Sequence, residues 1–104
     1  MTPEALKGHL DALILATLAR EPAHGYAVLS ALRERSAGVF DLPEGTVYPA
    51  LHRLERAGLV RSEWSDAAPR RRRVYRLTRR GEAALGTRRR EWSHFAKAVD
   101  AVLA

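Results

Sequence analysis

Between positions 6 and 18 the apolar residues Leu6, Leu10, Leu13, Ile14 and Leu18 recur at spacings of three and four, a single stripe along one helix. The stripe predicts a helix over residues 3–19, with Pro3 suited to its first turn and Glu21-Pro22 marking its far end. A second helix is predicted over residues 24–35, turning Val28, Leu29 and Leu32 inward and Arg33, Glu34 and Arg35 outward, with Ser36-Ala37-Gly38 as its stop. A third runs from about 43 to 57. Asp41 and Glu44 have capping-box spacing, with Asp41 as the cap, and Gly58 is well placed to close the helix. Pro49 lies inside it and removes one backbone hydrogen bond, so irregular first turns are expected.

After Gly58 the period changes to two. Residues 59–64 and 73–78 both alternate in β-fashion, and the polar stretch 65–72, containing Pro69, separates them. This predicts a two-stranded hairpin with a basic tip. Residues 79–104 are helical again, with a second periodicity: Leu85, Trp92 and Val99 are seven apart, as are Arg88, Phe95 and Val102. The result is an a/d seam with one polar member, Arg88. At roughly 1.5 Å per residue this helix extends about 39 Å, beyond the reach of the small domain before it, so a second subunit is the expected cover. The expected fold is mainly α with a small β-hairpin: a winged helix-turn-helix DNA-binding domain over 1–78 and a C-terminal dimerisation helix over 79–104.

On the third helix, Val47, Ala50, Leu51 and Leu54 share one side, expected to be buried. Gly45, Pro49, His52, Arg53 and Arg56 lie opposite, with Thr46 and Tyr48 on the flanks and Glu55 to the side, so the outer face holds no acid. Small residues followed by His and Arg at a helix N-terminal end suit close approach to a duplex. A solvated face is the plain alternative.

Charge sharpens this picture. The 104 residues carry +6, but 68–90 hold ten arginines and one acid, Glu82, and so carry +9 on a near-neutral remainder. Arg70, Arg71, Arg72 and Arg73 follow Pro69 directly; four consecutive cations repel one another, and a polyanionic counter-charge is the reading they favour. Biased coding accounts for arginine in place of lysine, but not for this clustering. There is no Asn or Gln, so base reading would rest on Arg, His, Thr and Tyr, with a substantial share from DNA shape. A chain of this length buries roughly two-thirds of its unfolded surface, enough for one modest core. With no Cys, disulfides, thiolate zinc sites and cysteine nucleophiles are excluded. No apolar run reaches the length of a membrane span and no signal peptide is visible, so a cytoplasmic protein is expected.

His24-Gly25-Tyr26, the stretch 42–55 (LPEGTVYPALHRLE), Gly58-Leu59-Val60, and 72–78 (RRVYRLT) with Gly81 together resemble the PadR-like transcriptional regulators, over roughly residues 8–82. The tail resembles the short subfamily with a single C-terminal helix. The resemblance implies a homodimeric repressor that binds pseudo-palindromic operators on double-stranded DNA near promoters. It implies that Tyr26 touches the DNA backbone, that Thr46, Tyr48 and their neighbours enter the major groove, and that the wing arginines reach phosphate or minor groove. It gives the stripe from Leu6 to Leu18 a second use, against the partner's C-terminal helix. The wing tip, Asp66-Ala67-Ala68-Pro69, lacks the glycine common in the family. Some relatives hold flat aromatic effectors between paired tryptophans at the dimer centre. Trp92 could occupy that place, although an aromatic on an a/d seam is more often simple packing.

Candidate DNA-binding residues are therefore Tyr26, Thr46, Tyr48, Pro49, His52, Arg53, Arg70, Arg71, Arg72 and Arg73. Candidate dimerisation residues are Leu85, Trp92, Phe95, Val99 and Val102, with Trp92 also the candidate effector contact. Trp64 on the hairpin is expected in the core. The four histidines have no ligand-like spacing, and no phosphate loop, nucleophile motif or carboxylate pair is visible, so neither metal, cofactor nor enzyme activity is expected. Two other readings stand beside DNA-binding regulation: a winged-helix protein-interaction module without specific DNA binding, and RNA binding through the arginines. The lack of a stacking platform other than Tyr75 counts against RNA.

Overall fold

A computed structural model describes residue 6, residues 8–66 and residues 71–104. The helical start at Pro3, the wing-tip residues 67–69 and Arg70 lie outside the described residues. The elements are α1 (Leu10–Arg20), β1 (Ala23–His24), α2 (Gly25–Arg35), α3 (Glu44–Arg56), β2 (Val60–Ser65), β3 (Arg72–Leu77) and α4 (Arg79–Leu103). The order is that of a winged helix-turn-helix followed by one long helix, in a molecule measuring 51 × 28 × 20 Å.

One core holds the helices together. Ile14, Leu15 and Leu18 of α1, Val28 and Leu32 of α2, and Val47, Ala50, Leu51 and Leu54 of α3 are buried with Val60, Tyr75 and Leu85. The four apolar positions assigned to the inner side of α3 are all there.

Several boundaries differ from expectation for identifiable reasons. The first helix is interrupted: Gly8 sits at φ +84°, and α1 starts at Leu10. Leu6, itself helical, is buried on the near side of that break. The Asp41 capping box does not form. Pro43 is the N-cap of α3 and no side chain caps that end. Nor does Pro49 disturb the helix, which is continuous from Glu44 to Arg56. At its other end Gly58, at φ +78°, makes the expected closure: Gly58 N–H donates to Glu55 O and Leu59 N–H to Leu54 O, both at 3.0 Å.

Among the described residues the sheet has three strands rather than two, antiparallel in the order β1-β3-β2. β1 pairs Ala23 with Tyr75 and His24 with Val74. A two-residue strand carries no alternation, so only its partner reveals it. Thr78 ties the wing to α4: its hydroxyl accepts from Gly81 N–H and donates to Gly58 O at 2.6 Å. A Cβ at Gly81 would overlap the Leu59 carbonyl, so glycine permits this close docking.

Candidate nucleic-acid interface

The His24-Gly25-Tyr26 turn builds one wall of the site. His24 is the N-cap of α2, its Nδ1 accepting from Ala27 N–H at 3.2 Å, while its Nε2 lies 2.8 Å from Arg72 Nη1. A neutral imidazole has one acceptor nitrogen, and both neighbours are donors, so His24 serves the cap or the arginine, one at a time. Burial, then the Arg72 charge, hold its pKa below the ordinary 6.5. Gly25 has a packing role: a Cβ there would run into the Tyr48 ring. Tyr48 of α3 therefore lies directly on the α2 backbone, and Tyr26 beside it is exposed. Burial, followed by the Glu44 charge, raises the Tyr48 pKa, so this phenol stays protonated and can donate.

Along α3, Pro49, His52 and Arg53 are exposed, while Thr46 and Tyr48 are half-buried. Arg53 is not free: its Nη2 pairs with Asp11 Oδ1 of α1 at 2.5 Å. Of the predicted wing cations, Arg71, Arg72 and Arg73 are exposed and Arg70 is outside the described residues. Arg73 Nε donates to Ser62 Oγ at 2.7 Å, and Ser62 donates to Glu55 Oε2 of α3 at 2.6 Å. Arg71 Nε stands 3.4 Å from Asp66. Trp64 is not in the core as expected. It is 53 % exposed, and the guanidinium carbons of Arg71 and Arg73 lie 4.8 and 5.4 Å from its ring centroid.

These groups surround one open concavity of about 930 Å³, lined by Tyr26, Tyr48, Tyr75, Trp64, Arg71, Arg72 and Arg73. Glu21, Glu34 and Glu44 line it too, so it is not uniformly basic. Glu44, which opens α3, lines the concavity beside Tyr48 and not the face of Pro49, His52 and Arg53. Pro49, His52 and Arg53 stand outside the concavity, farther along the same helix.

The long helix divides in two. Gly81 and Leu85 are buried in the chain's own core, so Leu85 is already used and does not belong to the open seam. Beyond it Trp92, Phe95, Val102 and Leu103 are exposed, Val102 at 83 %, and Val99 is half-covered. Trp92 meets His9 edge-on at 5.3 Å and Phe95 at 5.9 Å. Arg88, the polar member of the seam, donates to the Gly8 carbonyl and has Glu91 3.8 Å from its Nε.

The family model for the transcriptional regulator PadR-like family matches residues 14–87. The chain belongs to this family. A PadR family transcription regulator from Clostridium difficile is similar in structure at 34 % identity and a TM-score of 0.84, covering 93 % of this chain and all of that one. A transcriptional regulator from Clostridium thermocellum gives a TM-score of 0.87 at 26 % identity over 96 % of this chain and 95 % of the other. Transcriptional regulator Rv3488 of Mycobacterium tuberculosis is 45 % identical over 67 residues, 64 % of this chain and 63 % of that protein. As a PadR-like chain it is a transcriptional regulator, not an enzyme, and DNA binding follows from the family. Among the described residues no helix is long and apolar enough to cross a membrane.

Sequence reasoning missed five side chains of this region: Asp11, His24 as a cap, Glu55, Ser62 and Trp64. Trp64 alternates in β-fashion and is therefore expected inside. It faces Arg73 directly across the ladder, and Ser62 faces Tyr75.

Proposed function

We propose that the chain is a cytoplasmic, homodimeric repressor that binds a pseudo-palindromic operator on double-stranded DNA, and that a small aromatic effector acting at Trp92 releases it. The division of labour follows the chemistry. The outer face of α3, with Thr46, Tyr48, Pro49, His52 and Arg53, reads the major groove. Tyr26 and Arg70 to Arg73 hold the flanking backbone or minor groove. The observation that carries this reading is that Tyr26 and Tyr48 meet three wing arginines around one open concavity.

The seam supports a dimer. Covering a large apolar side chain yields about 1.5–3 kcal/mol. Trp92, Phe95, Val102 and Leu103, exposed on each copy, offer a sum that competes with an association cost of roughly 4–15 kcal/mol. Two recognition helices in such a dimer call for half-sites about one helical turn, roughly 34 Å, apart.

Selecting fragments from a random duplex pool with the purified protein tests the reading. The expected product is a two-fold symmetric site, bound far more tightly than a scrambled duplex at physiological salt. Equal affinity for the two would overturn it.

A further inference from the structure

Four consecutive arginines on a free hairpin would repel each other and sample many rotamers, and each rotamer fixed on binding subtracts from affinity. A carboxylate partner orders an arginine but cancels the charge that a phosphate would seek. An aromatic face orders it and leaves the charge in place. The wing has such a face. Trp64 sits opposite Arg73 in the β2–β3 ladder, half-exposed, with the guanidinium groups of Arg71 and Arg73 at 4.8 and 5.4 Å from its ring.

The Arg73 end of this arrangement is fixed a second time. Glu55 Oε2 accepts the hydrogen bond donated by the Ser62 hydroxyl, which leaves the Ser62 oxygen lone pairs for Arg73 Nε–H, which donates to them. Glu55 belongs to α3, so the guanidinium is registered to the recognition helix through a neutral hydroxyl rather than by direct pairing with the acid.

We propose that Trp64 is a positioning residue for DNA binding, holding Arg73 in place for a backbone phosphate with its charge intact and orienting beside it Arg71, which also pairs with Asp66, and that Ser62, set by Glu55, fixes the Arg73 end. The inference rests on the DNA-binding reading above and names residues that the reading did not include.

The test is the salt dependence of duplex binding by the full-length chain, since each phosphate contact contributes about 0.9 to the slope of log affinity against log salt. Trp64→Ala should lower that slope by about one to two per subunit and weaken binding by about tenfold at low salt. Trp64→Phe, which keeps an aromatic face, should recover most of both. Ser62→Ala should lower the slope by about one per subunit. Because Trp64 is half-exposed, thermal unfolding of its variants should match that of the parent protein. A parent-like slope and affinity in Trp64→Ala, or in Ser62→Ala, would overturn the proposal. Failure of the unmodified protein to bind any duplex would instead overturn the DNA-binding reading itself.

Discussion

The recognition helix and the wing border the same concavity but hold their arginines in opposite ways. Arg53 of α3 is paired with a carboxylate, Asp11. Arg72 and Arg73 of the wing lean on an imidazole and a hydroxyl, and Arg71 and Arg73 both lie over the Trp64 ring, with Arg71 also 3.4 Å from Asp66. A cation beside a neutral partner projects its field continuously. A cation in an ion pair must first leave its partner, and for exposed pairs that exchange costs about 0–1 kcal/mol. On the proposed reading the wing would attract any duplex continuously, whereas Arg53 would change partners only where DNA offers something better than Asp11.

The largest effect should come from removing the proposed two-fold repetition of both regions at once. Replacing Trp92 and Phe95 together by Glu puts charge on the exposed seam; the chain should sediment as a monomer. Operator affinity should fall on the order of a hundredfold or more, since a monomer loses one half-site's contacts. A dimeric variant would place the subunit contact elsewhere on the molecule.

Gly25→Ala strikes the recognition helix without touching the wing's charges. The new Cβ must displace the Tyr48 ring, and overpacking of this kind costs about 1–3 kcal/mol. Chemical denaturation should show that loss, with weaker operator binding and a nearly unchanged salt slope.

Asp11→Asn tests the tether itself. With Arg53 released, affinity for random DNA should rise by about two- to fivefold, the scale of an exposed ion pair, and operator affinity by less. The operator-to-random ratio then falls. A ratio that stays constant would show that Asp11 does not govern how Arg53 is used.

The smallest effect concerns pH and the hinge between the two regions, His24. Its pKa is depressed in the folded chain by burial and by Arg72. On acidification below about 6.5 the unfolded chain takes up the proton first, so stability falls as pH drops through that range. Bound phosphates act the other way by favouring the imidazolium, so the His24 contribution to DNA affinity grows as pH falls. Melting curves at about pH 7.5 and 5.5 should show a larger loss for the parent protein than for His24→Asn, which keeps a capping side chain.

How much of this was legible in the sequence varies with the range of the interaction. The buried side of α3 was, because Val47, Ala50, Leu51 and Leu54 repeat with the helix and face the core directly. The α4 seam was legible as an apolar line but not in what covers it: Leu85 turns out to sit in the chain's own core, while Trp92 and Phe95 remain open. Trp64 misled for a related reason. Val60, Ser62 and Trp64 share one face of β2, buried at Val60, partly covered at Ser62 and open at Trp64. Alternation reports the face, whereas coverage depends on how far the hairpin projects past the helices. The Asp11–Arg53 pair joins residues 42 apart in sequence and left no local trace.

The division of labour between the two regions is tested most directly by comparing Arg53→Ala with a wing variant in which Arg71, Arg72 and Arg73 are all Ala. Each is titrated against operator and random duplex across salt concentrations. The wing variant should lose affinity for both duplexes alike and flatten the salt slope by about three per subunit, one for each phosphate contact removed. Arg53→Ala should leave the slope within about one unit of the parent and lower the operator-to-random ratio, by about tenfold for a contact worth roughly 1–3 kcal/mol. If both variants change slope and ratio together, the helix and the wing do not divide selectivity and affinity between them, and the account is wrong.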